Sequence, residues 1–194
     1  MGLDDDDLLA LLAKDIDKHY ERLVSMYWHQ LYSFVLRRRG SPQDAEDIVQ
    51  DAFVRAYLAL SRYSAERVRS LKVRPWLYKI TWNIYCNYSN TAKSSPTLPL
   101  DTSEDGPFLE QEDSENEQPE HIFERLERRG ELEAMVNSLP ERYRDIVSLY
   151  YFAELTHQEV AEILNQPVGT IKVYVHRGIR LLRKALAIQT NEVL

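Results

Sequence analysis

The chain of 194 residues has a single cysteine, Cys86, which excludes an internal disulfide framework and any multi-cysteine zinc site. It has only six glycines and no glycine-rich phosphate loop, which argues against a nucleotide-binding enzyme. No apolar run approaches the ~18 residues that a membrane-spanning helix needs, so no membrane insertion is expected. Met1 to Asp7 carries four aspartates and no cation, unlike a secretory signal, so a cytoplasmic location is expected. His19, His29, His121, His157 and His176 show no metal-ligand spacing, and no H-E-x-x-H or G-x-S-x-G motif occurs. No catalytic residue, metal or cofactor is therefore expected. What the chain does have is 44% apolar residues, enough for compact cores.

The net charge of −7 is unevenly spread. Residues 1–93 carry a net +2, residues 94–124 a net −10 and residues 125–194 a net +1. Two windows contain cations and no acid: Arg67 to Lys93, with six, and Asn165 to Leu186, with five. Local fields of this kind steer a polyanion whatever the total charge.

Helical periodicity dominates. Tyr20, Leu23, Val24, Tyr27, Leu31, Phe34 and Val35 recur at spacings of three and four, predicting an amphipathic helix that ends near Arg37-Arg38-Arg39-Gly40. Gly40 fits the position just past a helix end, and the arginines suit its negative pole. Ser41 and Pro42 read as the cap and first residue of a helix to about Leu60, with Ile48, Ala52, Ala56 and Leu60 on one side. A less regular stretch, 61–74, precedes a third helix starting at Pro75 and running to about Ser89. No period-two strand is evident, so an all-α fold is expected.

The segment 91–120 contains Pro96, Pro99, Pro107 and Pro119, many acids and little apolar content. Such a composition buries too little surface to offset chain entropy and predicts a flexible acidic linker. The expected organisation is a helical domain over 1–92, a linker over 93–124 and a second helical domain over 125–194. In the second, Phe123, Leu126, Leu132, Met135 and Leu139 mark a helix resuming near Glu120. Pro140 starts another, carrying Ile146, Val147 and Leu149-Tyr150. Thr156 and Glu159 form a capping box for a short helix with Val160, Ile163 and Leu164 inward. Asn165-Gln166-Pro167 breaks the chain before a long basic helix that buries Ile171, Val175, Ile179, Leu182 and Leu186.

This last pair of helices has helix-turn-helix character. Thr170, Lys172, Val173, Tyr174, His176 and Arg177 lie outward at the start of the second helix, where cations can donate to guanine acceptors or phosphates. The blander alternative is a hairpin with a solvated basic face. In the acid-free stretch 67–93, Arg67, Arg69, Lys72, Arg74 and Lys79 alternate with Trp76, Tyr78, Trp82, Tyr85 and Tyr88. Cations for phosphates and rings for unpaired bases suit single-stranded nucleic acid, although some rings, Trp76 in part, belong to the core. A third cluster, Asp44, Asp47 and Asp51, places carboxylates on one helix face with no histidine beside them. It reads as a solvated or partner-binding face rather than a metal site.

Three strings, in order, resemble a known family. Asp44 to Leu60 (DAEDIVQDAFVRAYLAL) resembles region two of bacterial sigma factors. Arg74 to Asn83 (RPWLYKITWN) is similar to the promoter-melting and −10-reading helix that follows it, and Leu139 to Leu186 is similar to region four. Two such domains and a short linker resemble the extracytoplasmic-function (ECF) group. The resemblance implies a transcription initiation factor, not an enzyme, that binds core RNA polymerase, selects promoters and helps melt the −10 region. Asp47, Gln50 and Asp51 would contact the β′ clamp helices, and region four would sit on the β flap. Arg74, Trp76, Lys79, Trp82, Asn83 and Asn87 would meet the single-stranded −10 element, with a flipped base cradled by 61–73. Thr170, Lys172, Val173, Tyr174, His176 and Arg177 would read the double-stranded −35 element. The linker's charge would mimic nucleic acid near the RNA exit path, and an anti-sigma factor is an implied partner.

Two departures from the family pattern stand out. The stretch Cys86 to Thr91 lacks the usual basic cluster, and Val173-Tyr174 replace Ser-Arg, which implies an altered −35 preference. The competing function is a helix-turn-helix regulator whose N-terminal domain senses another partner.

Overall fold

The computed structural model describes residues 4–39, 41–92 and 129–191. Five helices make the first unit: α1 (Asp5–Leu12), α2 (Ile16–Arg39), α3 (Pro42–Leu60), α4 (Ala65–Arg69) and α5 (Val73–Ala92). The second holds α6 (Arg129–Ser138), α7 (Glu141–Val147), a π-helical turn (Ser148–Phe152), α8 (His157–Leu164) and α9 (Val168–Asn191). The expected all-α fold is found, with no strand among the described residues.

The aspartate run at the N-terminus has a local use. Asp4 caps α1 by accepting from the Asp6 amide at 2.7 Å, and Asp5, Asp6 and Asp7 fill the first turn, where the helix dipole favours anions. Leu8, Leu9 and Leu12 are buried, and the Tyr27 hydroxyl donates to Asp5 at 2.5 Å, tying α1 to α2. Ser41 caps α3 through the Asp44 amide, with Pro42 in its first turn. The core sets Leu23, Tyr27, Leu31 and Phe34 of α2 against Ile48, Ala52, Ala56 and Leu60 of α3 and Leu77 and Tyr78 of α5. Phe34 meets Tyr78 edge-on with centroids 5.3 Å apart. Thr81 is fully buried and satisfies its hydroxyl on the Leu77 carbonyl at 2.9 Å, as a polar group without water must.

Three expectations are corrected. The stretch 61–74 contains α4, capped by Ser64 through the Arg67 amide. The next helix starts at Val73, so Pro75 is its third residue, still inside the turn whose amides lack helical acceptors. The helix after Pro140 ends at Val147 and gives way to the π-helical turn, so Leu149 and Tyr150 lie on that turn. The linker 93–124, Gly40, Phe123 and Leu126 lie outside the described residues, as do the side chains of Leu132 and Leu186.

In the second unit, Met135, Val136 and Leu139 pack with Tyr143, Val147 and Leu182. Gly178 makes that packing possible. A Cβ there would stand 2.6 Å from Val147 Cγ2, so α9 and α7 approach too closely for any side chain. At Gly169 a Cβ would meet nothing within 4 Å. Gly178→Ala is expected to destabilise this unit by about 1–3 kcal/mol through overpacking, while Gly169→Ala is neutral or stabilising. Chemical denaturation of the two variants, followed by circular dichroism, checks the contrast.

Candidate nucleic-acid interface

The turn between α8 and α9 is built from local chemistry. Thr156 Oγ1 accepts from the Glu159 amide at 3.3 Å, and the Thr156 amide donates to Glu159 Oε2 at 3.0 Å, closing the capping box. Asn165 ends α8 in the left-handed conformation, φ 52°, which asparagine tolerates better than most residues. Val160 and Ile163 of α8 are buried in one cluster with Ile171, Val175 and Ile179 of α9, which fixes the two helices against each other.

On α9 this leaves Lys172, Val173 and His176 exposed, with Val173 at 45%, and Thr170 and Arg177 half-buried. Tyr174 is also half-buried, its ring edge-on to Tyr143 at 5.5 Å, so it shares its surface between solvent and packing. His157, at the start of α8, lies 4.5 Å from the Tyr150 ring. Burial and then the nearby Lys172 charge hold its imidazole below the ordinary range.

On α5, Trp76, Lys79, Asn83 and Asn87 recur at spacings of three and four and share one helix face. Asn83 and Asn87 are exposed; Arg74, Trp76 and Lys79 are half-buried. Trp82 lies off that face, against Tyr85 at 5.8 Å and Phe34 at 6.5 Å. The stretch's other rings divide: Tyr78 and Tyr85 are buried, whereas Tyr88 is 39% exposed. Burial pushes the Tyr78 phenol up to about 12.

On α3, Asp47 and Gln50 are exposed and Asp51 is half-buried. Asp51 pairs with Arg55 at 2.8 Å, and Gln50 donates to Glu46 at 3.3 Å. Val54 (58% exposed) and Leu58 (50%) continue the face at helical pitch. The sequence reading missed both, although their position opposite Ile48, Ala52 and Ala56 was the available signal.

A contact set between the units was also not anticipated. Lys72 Nζ reaches Glu159 Oε1 at 2.9 Å, and Arg74 pairs with Glu154. Lys79 Nζ donates to the carbonyl oxygens of Glu162 and Ile163, the latter at 3.0 Å, and to Asn165 Oδ1 at 3.4 Å. Burial works to raise the Glu159 carboxyl, but the bonds from Lys72 and Thr156 outweigh it and hold the group below the usual range. The Glu159 bond raises Lys72 in turn. Arg38 stacks over Trp82 at 4.4 Å and Tyr85 at 4.5 Å, pairs with Asp145 of α7 and lies 3.6 Å from Glu141. Arg37 lies over the Phe152 ring at 4.7 Å.

Comparison with known proteins places the chain in a family. The profile of sigma-70 region 2 matches residues 23–94, and that of sigma-70, region 4, matches residues 129–182. The ECF RNA polymerase sigma factor SigW of Bacillus subtilis is 34% identical over 168 residues, covering 84% of this chain and 87% of that protein. The ECF RNA polymerase sigma-E factor of Escherichia coli is 30% identical over 183 residues, covering 91% of each. Two solved structures share the fold. CnrH in complex with the cytosolic domain of CnrY gives a TM-score of 0.59 at 18% identity, covering 95% of this chain and 97% of that one. RpoE of Bartonella quintana with the anti-sigma factor NepR gives 0.59 at 19% identity, covering 88% and 98%. The match of 23–94 to region 2 takes the place of a separate sensory domain.

The capping box generates a direct test. Thr156→Ala removes one of its two bonds and is expected to cost about 0.5–2 kcal/mol, whereas Thr156→Ser retains most of the stability. Urea unfolding of the two variants reads the difference.

Proposed function

The chain belongs to the ECF group of the sigma-70 family and directs RNA polymerase to particular promoters; we propose that it does so through three surfaces on three helices. The observation that carries this reading is the presence of region 2 and region 4 in order on one chain, with 34% identity to SigW across most of its length.

Residues 1–92 form the unit that meets polymerase and the −10 element, residues 125–194 the unit that meets the −35 element, and 93–124 the connection. On α3, Asp47, Gln50 and Asp51 contact the β′ clamp helices, with Val54 and Leu58 supplying apolar area beside them. The second unit seats on the β flap. On α9, Thr170, Lys172, Val173, Tyr174, His176 and Arg177 enter the major groove of the −35 duplex. Val173 has the exposure and apolarity to meet a thymine methyl. On α5, Trp76, Lys79, Asn83 and Asn87 form the face that receives the −10 strand, with Arg74 at its head and Trp82 to one side. The segment 61–73, which carries α4, receives the flipped base. Melting follows if this face favours the unpaired strand, because stacking is worth roughly 1–3 kcal/mol per base and unstacking costs only a few.

The protein works in the cytoplasm without a cofactor or bond-making chemistry of its own. An anti-sigma factor covers the α3 face when polymerase is absent. RpoE of Bartonella quintana, which shares the fold, is bound to the anti-sigma factor NepR.

Run-off transcription with core polymerase on a randomised promoter library tests the whole reading. Initiation that depends on added protein is the expected outcome; none at any template overturns it. Within that assay, Asp47→Ala/Asp51→Ala is expected to weaken core binding. Lys172→Ala is expected to lose about 1–3 kcal/mol at one −35 position and relax the preference there. Equal loss on every sequence would make Lys172 a phosphate contact instead.

A further inference from the structure

Arg74 stands where a cation is disfavoured. It is the second residue of α5, at the positive pole of that helix, and no acid lies in the helix's first turn. What holds it comes from α2 and α1. The Arg74 guanidinium donates to the Tyr27 oxygen, and the Tyr27 hydroxyl donates to Asp5 Oδ1 at 2.5 Å. A phenol has one proton to give, and Asp5 takes it, so the oxygen can only accept from Arg74. Burial, then the Asp5 bond and charge, push the phenol above its ordinary value against the pull of Arg74, which keeps that proton in place. The relay therefore runs one way, from Arg74 to Tyr27 to Asp5. Its middle is fixed, because Tyr27 is only 1% exposed within the core. Its end is anchored by α1, whose Leu8, Leu9 and Leu12 are buried. Asp4 caps α1, and Asp6 and Asp7 are exposed, whereas Asp5 is half-buried and meets Tyr27.

We propose that Asp5 and Tyr27 are positioning residues for the −10 strand: they hold the Arg74 guanidinium at the head of the α5 face, set to take a backbone phosphate. The proposal rests on the reading of Arg74 as a strand contact. A neutral hydroxyl suits this task better than a carboxylate. It fixes the side chain without cancelling its charge, and it occupies one of five N–H donors. The others remain for a phosphate, which a guanidinium takes with paired bonds. The two roles are compatible in the geometry. Arg74 Nη1 donates to the Glu154 carboxylate while the relay is made, so an oxyanion and Tyr27 hold the guanidinium together. A free arginine side chain loses rotamer freedom when it binds, and the relay removes that freedom in advance. α1 thereby takes part in promoter binding through a side chain two steps from the strand.

The test uses holoenzyme, reconstituted from core polymerase and the full chain. Its probes are a fluorescent fork-junction promoter with an unpaired −10 strand, taken from the run-off selection, and a −35 duplex. Tyr27→Phe removes the hydroxyl and keeps the ring. It is expected to weaken fork-junction binding about 2- to 10-fold, the factor that ordering one long side chain costs, and to leave −35 duplex binding unchanged. Asp5→Ala gives a loss of the same sign, and Asp5→Asn, whose amide oxygen still accepts, recovers most of it. The deciding readout is the cycle with Arg74→Ala. Once Arg74 is gone, Tyr27→Phe costs nothing further. If Tyr27→Phe costs the same with Arg74 and without it, Tyr27 supports the fold only; the proposal falls while Arg74 stays a strand contact. No loss from either Tyr27→Phe or Asp5→Ala overturns it equally. If Arg74→Ala binds the fork junction as tightly as the unsubstituted chain, the −10 reading of Arg74 fails, and the proposal with it.

Discussion

Cations positioned to grip a polyanion attract any anion of suitable shape, including carboxylates of their own chain. That constraint organises this molecule. Lys72, Arg74 and Lys79 stand in an acid-free stretch and are met by Glu159, Glu154 and the end of α8. The first two of these contacts are solvent-exposed on at least one side, so each is worth about 0–1 kcal/mol and is screened by salt. Contacts of that size suit reversibility. Singly each is weak, and together they add up across the joint between the units.

The helix-turn-helix makes contacts of two kinds, within its own unit and across to the first. Glu159 closes the capping box of α8 through one oxygen, Oε2, and meets Lys72 through the other, Oε1. Releasing Lys72 therefore leaves the helix start intact. The left-handed Asn165 stops α8 at the point where its last carbonyls face Lys79, and the following turn aims α9 outward. Gly178 then lets α9 lie close against α7, which fixes the angle at which the reading residues are presented. The face that carries Lys172, Val173 and His176 is thus held by packing within its own unit.

Much of this was legible in the sequence, where the signal is local. Ser41-Pro42, Thr156 with Glu159, and the periodic stripes of α2, α3, α8 and α9 each carry their own structural instruction, and the helices follow them. α4 escaped because a helix of five residues has too few turns to show a period, although Ser64 marks its cap. The π-helical turn at Ser148–Phe152 escaped because its residues continue an apolar run that suits an ordinary helix. The three candidate surfaces were drawn from charge, spacing and the family resemblance, but which of their side chains are buried was not. Tyr78 and Tyr85 differ from Tyr88 only in which side of α5 faces α2, and composition does not carry that. The contacts between units were invisible because they join residues about 80–87 positions apart, through charges that alone read as solvated.

Arg38 and Asp145 differ from the exposed pairs in burial. Their side chains are only 8% and 11% exposed, and burial pulls the guanidinium below its ordinary value. A buried ion pair gives up two hydration shells and recovers them only with good geometry, so it adds little net strength. Trp82 and Tyr85 hold the Arg38 plane in place from its own unit, so the rings of the first unit set the orientation in which the guanidinium meets Asp145. The weight of the pair therefore lies in the cost of breaking it: removing one partner leaves the other charge buried without a counter-charge, at several kcal/mol.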